Sequence, residues 1–160
     1  MKMFLPFAAV GLVIAAPAFA QGMPAADYVK NAGASDLFER QSSQIVLQST
    51  TDPKVKSFAN MMISAHAKST ADVKAAAARS KVRVAPPVLT PAQRDMIAKL
   101  REQKGTARDT TYIQQQKTAH DQALALQQSY ASDGKSAPLK AVAAKIVPVV
   151  QDHIRMLATM

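Results

Sequence analysis

PKVKSFANMMISAHAKSTADVKAAAARSK, residues Pro53 to Lys81, is the stretch whose reading decides the fold. Val55, Phe58, Ala59, Met62, His66, Ser69, Val73 and Ala77 recur at spacings that place them on one face of an α-helix. Lys56, Asn60, Lys68 and Lys74 fall on the outer face. Asp52 is placed to cap the first turn, and Pro53 suits the first helical position, where the missing amide hydrogen has no partner to lose. Val82-Arg83-Val84 and then Pro86-Pro87 end the pattern. The spacing therefore predicts one long amphipathic helix over 53–81, with His66 near the middle of its apolar stripe.

The neighbouring stretches repeat this logic. From Asp27 to about Gln48, residues Ala34, Phe38, Gln41 and Ile45 share one face, before Thr50-Thr51-Asp52-Pro53 breaks the helix. A third long helix is expected from about Ala107 to Ala131. Its inner side carries Tyr112, Ile113, Gln116, Ala119, His120, Ala123, Leu124, Gln127 and Tyr130, and Asp133-Gly134 stops it. A fourth starts near Pro138 behind Ser136 as cap, with Leu139, Val142, Ala143, Ile146, Val150, His153 and Leu157 as its stripe. Pro148 lies inside it, removes a backbone donor and is expected to kink it before His153.

Residues 82–106 form a long connection with its own short helix. Thr90-Pro91-Ala92-Gln93 opens it, Met96, Ile97 and Leu100 give it an apolar side, and Gly105 stops it. No strand-like alternation is present. Two helical hairpins joined by one long link point to an all-α, ferritin-like antiparallel four-helix bundle, its crossover containing a short extra helix.

Residues 1–20 read as a cleaved signal peptide: Lys2, an apolar run from Met3 to Ala16, and Ala18-Phe19-Ala20 as the cleavage motif. Residues 21–160 then form one domain, exported to the periplasm, with no further segment of membrane-spanning length. The absence of cysteine excludes disulfides, thiolate metal sites and cysteine nucleophiles. The chain carries a net +9; loss of Lys2 leaves 19 Lys+Arg against 11 Asp+Glu, a net +8. These charges are spread along helices rather than gathered in an arm. They fit a solvated surface with weak attraction to anionic envelope components, and export argues against nucleic acid as partner.

The segments Gly33 to Glu39, Pro53 to Ala59 with Met62 and His66, Gly105 with Asp109 and Tyr112, Ala119-His120, and Pro148 with His153 stand in a distinctive order. In these the chain resembles an exported bacterial family of unknown function, numbered 4142, over about residues 25–158. The resemblance implies a ferritin-like helical bundle and no established activity. Two positions depart from the family pattern: Ala65 stands where an acidic residue is common, and Arg108 where an aromatic is common. The first removes a carboxylate near His66. The second alters packing at one end of the bundle.

Histidine occurs only at positions 66, 120 and 153, once on each of three long helices and on the inward stripe each time. His66 and His120 each lie 13 residues from the expected start of their helices, His153 lies 15 from Pro138 and Glu39 lies 12 from Asp27. At about 1.5 Å per residue all four sit near mid-height, roughly 20 Å along each axis. Imidazole with carboxylate suits one Zn, Cu or Fe ion, giving His66, His120, His153 and Glu39 as candidate ligands. Glu39 falls to one side of the Phe38/Ile45 stripe, which weakens its place in that set.

A di-iron centre needs several glutamates and Glu-x-x-His on two helices, whereas Glu39 and Glu102 are the only glutamates here. The alternative is a polar layer in which neutral imidazoles bond to Gln116, Gln41, Tyr112 or backbone carbonyls and set helix register. Met62, Met156 and Met160 offer thioethers but read first as packing. Asp109 reads as favourable to its helix dipole. No G-x-S-x-G, HExxH, P-loop or dinucleotide turn occurs, so no catalytic residue is expected and the reading is non-enzymatic.

Overall fold

The computed structural model describes residues 22–160, so the expected signal peptide lies outside the described residues. These residues form five α-helices and no strand: α1 (Ala25–Val46), α2 (Pro53–Arg79), α3 (Pro91–Glu102), α4 (Gly105–Asp133) and α5 (Ala137–Leu157). None of the helices is long and apolar enough to cross a membrane.

Local chemistry fixes most of the ends. The Asp52 carboxylate accepts from the Lys54 and Val55 amides at 2.7 and 3.3 Å and opens α2. Thr90 and Gln93 form a reciprocal capping box at the start of α3. The α2 end closes with Lys81 at φ 55°, while the Val82 amide returns to the Ala77 carbonyl at 2.9 Å and the Lys81 amide to Ala78 at 3.1 Å. This is a Schellman closure made without glycine.

Two local expectations change. Gly105 does not stop α3, which ends at Glu102; it opens α4 with φ 54°, a left-handed conformation that favours glycine. Ser136 stands at the start of α5 but makes no cap bond, because its hydroxyl pairs with Ser80 at 2.6 Å across the helix ends. Pro148 sits inside one continuous helix, α5.

Each long helix has two long neighbours: α1 packs on α2 and α4, and α5 packs on α4 and α2. The short α3 lies against α1 and α4. Arg108, the departure noted at one end, is buried and donates to the Ile45 carbonyl at 2.8 Å and the Gln103 carbonyl at 2.7 Å. It thereby adds a second donor to a carbonyl in the last turn of α1 that also accepts from the Gln48 amide at 3.2 Å. Asp109 does more than face a dipole: it is buried and accepts from the Thr50 hydroxyl at 2.9 Å, tying the α1–α2 turn to α4.

The core divides along the helix axes. One apolar cluster contains Tyr28, Ala32, Val73, Ala77, Ala123, Tyr130, Leu139 and Val150, with Tyr28 and Tyr130 stacked at 3.9 Å. The other contains Phe38, Val46, Phe58, Met62, Leu100, Tyr112, Ala119 and Leu157. On every long helix a buried polar residue stands where the two clusters meet: Asp36 and Glu39 on α1, His66 on α2, His120 on α4 and His153 on α5.

Candidate metal centre

The histidine layer is built by helix periodicity. His66 follows Met62 by one turn, His120 follows Gln116 by one turn, and His153 follows Val150 by three residues, so each imidazole inherits the inward direction of a buried neighbour. The three rings meet with centroids 5.4–5.9 Å apart. One nitrogen from each lies within 4.8 Å of those from the other two.

Hydrogen bonds determine which nitrogens converge. His66 Nδ1 donates to Asp36 Oδ1 at 2.8 Å, and Asp36 Oδ2 accepts from the Thr70 hydroxyl at 2.9 Å. That leaves His66 Nε2 buried with no hydrogen-bond partner. His120 Nδ1 donates to the Gln116 carbonyl at 2.8 Å, leaving Nε2 to face His153 Nδ1 at 3.3 Å. Phe58 closes one side, its ring 6.4 and 6.5 Å from those of His120 and His153.

Glu39 is fully buried, with Oε1 3.7 Å from His120 Nδ1, and neither carboxylate oxygen has a hydrogen-bond partner. It stands on the Nδ1 side of His120, whereas the converging atoms come from the three histidines. The sequence pattern brings His66, His120 and His153 together as expected and places Glu39 beside them. It missed Asp36 and Thr70. The available signal was the spacing of Tyr28, Ala32, Asp36, Glu39, Ser43 and Val46, a helical stripe that the polar residues disguise as a solvent face.

Burial dominates the electrostatics. It raises the Glu39 carboxyl to about 7, against the opposing pull of His66 and Gln116. Burial, reinforced by His66, lowers His120 to about 3 and His153 to about 4. Burial also pushes His66 down, but the Asp36 hydrogen bond and the Glu39 and Asp36 charges outweigh it and hold His66 above its ordinary value. The layer therefore offers two neutral imidazoles and one cation-favouring position beside two buried carboxyl groups.

Such a layer carries donor groups that could hold a cation. Neutral imidazoles are ligands for divalent first-row metals, and a carboxylate behind a ligating histidine fixes its tautomer and raises its basicity.

Comparison with known proteins gives a family and a fold. A family model described as "Domain of unknown function (DUF4142)" matches residues 13–160. No curated protein matches the sequence. Among solved structures, a DUF305 protein from Streptomyces coelicolor, named as secreted, is 17% identical with a TM-score of 0.71, over 85% of this chain and 91% of that one. A DUF305 fragment from Deinococcus radiodurans is 14% identical with a TM-score of 0.73, over 87% of this chain and 96% of that one. At these identities the likeness is one of fold.

Proposed function

We propose that this chain, which by that match belongs to the DUF4142 family, holds one transition-metal ion in the core of an exported, ferritin-like four-helix bundle. The ion is bound by His66 Nε2, His120 Nε2 and His153 Nδ1. The observation that carries the reading is His66 Nε2, a buried nitrogen without a partner that belongs to a trio of converging imidazoles. An unpaired buried polar atom costs about 1–3 kcal/mol, and a metal bond removes that cost.

Spacing supports the same reading. A tetrahedral ion about 2.0–2.1 Å from two nitrogens holds them roughly 3.3 Å apart, and His120 Nε2 and His153 Nδ1 are 3.3 Å apart. Asp36 and Glu39 supply two carboxyl groups near an ion of charge +2, each beside the Nδ1 of a ligating histidine. Zinc, copper and iron all suit imidazole ligands. No catalytic residue is assigned.

The rival reading, a structural polar layer, draws support from the bonds His66 makes to Asp36, His120 makes to Gln116 and His120 makes to His153. It leaves His66 Nε2 unsatisfied. Export to the periplasm rests on the signal-peptide pattern of residues 1–20, and the basic surface suits weak contact with anionic envelope components.

The test is metal content by elemental analysis after equilibration with zinc or copper and removal of free ion. Wild type should retain one equivalent, and His66→Ala and His153→Ala should retain far less. Equal trace metal in all three proteins would leave the structural layer as the better account.

A further inference from the structure

A cavity of about 340 Å³ opens between α2 and α5 and runs into the histidine layer. Its floor carries the buried side chains of His66, His153 and Asp36. Apolar groups form most of its walls, among them Ala65, Val142, Ile146 and Val150, with Ser69 and Gln127 between them. Lys68 and Lys145 are exposed at its outer edge, Lys68 already engaged with Asp72 at 2.6 Å. Three protein ligands leave a metal with an open fourth position, the arrangement that binds exogenous molecules rather than the closed one of structural sites. His66 and His153 are both proposed ligands, and both border this cavity.

We propose that the fourth position faces the α2–α5 cavity and takes a short-chain carboxylate, its head on the metal and its hydrocarbon body against Val142, Ile146 and Val150. This rests on the metal reading above. The chemistry of the occupant follows from the cavity's two ends. Metal binding displaces the proton that His66 Nε2 would otherwise hold, so all three ligands are neutral and leave the ion's charge available to an anion, and the nearby carboxyl groups, Asp36 and Glu39, approach imidazole Nδ1 atoms instead. The Lys145 ammonium at the mouth favours the same sign of charge on the way in. The walls between are mostly apolar and disfavour a fully hydrated polar ligand. An apolar cavity of about 150 Å³ accommodates benzene, so one of this size has room for a chain of several carbons.

Cobalt(II)-loaded protein tests this, because the visible bands of tetrahedral cobalt respond to a new fourth ligand. Hexanoate titrated into the full chain should shift the bands saturably. Acetate should bind more weakly, by up to about fourfold for each methylene it lacks. Val149→Trp places a bulky ring at an exposed position on the cavity wall. It should bind one cobalt as wild type does and weaken hexanoate at least tenfold. Bound cobalt whose spectrum hexanoate does not move overturns this inference and leaves the metal reading standing. An equal hexanoate response in Val149→Trp overturns the assigned cavity. Failure of wild type to bind cobalt overturns both readings.

Discussion

Replacing Asp36 with asparagine separates a metal centre from a structural layer. Asp36 is buried, accepts from His66 Nδ1 at 2.8 Å and from Thr70 at 2.9 Å, and lies outside the converging trio. Asparagine keeps its volume and one acceptor for His66 or Thr70 but removes the charge that raises the basicity of the ring. Loss of such an outer partner typically weakens metal binding by about 10- to 100-fold. Free zinc at about 100 times the wild-type Kd adds about 2.7 kcal/mol to stability; after a 10- to 100-fold loss the same zinc adds about 1.4 to 0.4 kcal/mol.

At about 3 °C per kcal/mol for a chain of this size, the zinc-induced rise in Tm should fall from about 8 °C to between about 4 and 1 °C. The assay is a pair of thermal melts for each protein, with and without buffered zinc. Comparing the rises removes any change in metal-free stability that the substitution brings. Equal rises in wild type and Asp36→Asn would refute the role assigned to Asp36, and no rise in either would refute the site.

Metal-free protein should be most stable near neutral pH. His120 and His153, at about 3 and 4 when folded, stay neutral while the unfolded chain protonates them below 6.5, so each removes stability as pH falls below 6.5. Glu39, at about 7 when folded, keeps a proton that the unfolded chain releases above 4.5; its contribution is full below 4.5 and fades as pH rises to 7. His66, held above 6.5, adds stability at lower pH that is lost as pH rises through its raised value. Unfolding should therefore take up about one proton from just below pH 6.5 down to about 4, where His153 begins to charge in the folded chain as the Glu39 difference closes. Urea midpoints measured across this range check it, and a flat profile from 6.5 to 4.5 contradicts it. Asp52→Ala should cost about 1 kcal/mol in urea unfolding through loss of the α2 cap, while leaving the zinc-induced rise in Tm unchanged, because the cap lies 14 residues before His66.

Much of the architecture was written in local chemistry. Asp52-Pro53 and Thr90 to Gln93 are helix starts whatever surrounds them, because capping needs only the adjacent amides. The α5 stripe of Leu139, Val142, Ala143, Ile146, Val150, His153 and Leu157 is buried in full, since a strongly apolar face has one way to leave water. The α1 face was harder to read. Its buried stripe includes Asp36, Glu39, Ser42 and Ser43, residues that hydrophobic periodicity assigns to solvent.

The sequence by itself determined that the chain is helical, where its long helices lie, and that three histidines share an inward direction at a common height. Periodicity and capping act over a few residues, so they are complete in the sequence. Only the tertiary structure decided which groups those histidines meet. Asp36 is 30 residues from His66, and His120 is 33 from His153. No local rule sets the rotation of one helix against another; the packing of the two apolar clusters does. That rotation turns His66 Nδ1 to Asp36 and leaves its Nε2 unpaired in the core. It also carries Glu39 behind His120, where burial rather than sequence neighbours sets its charge.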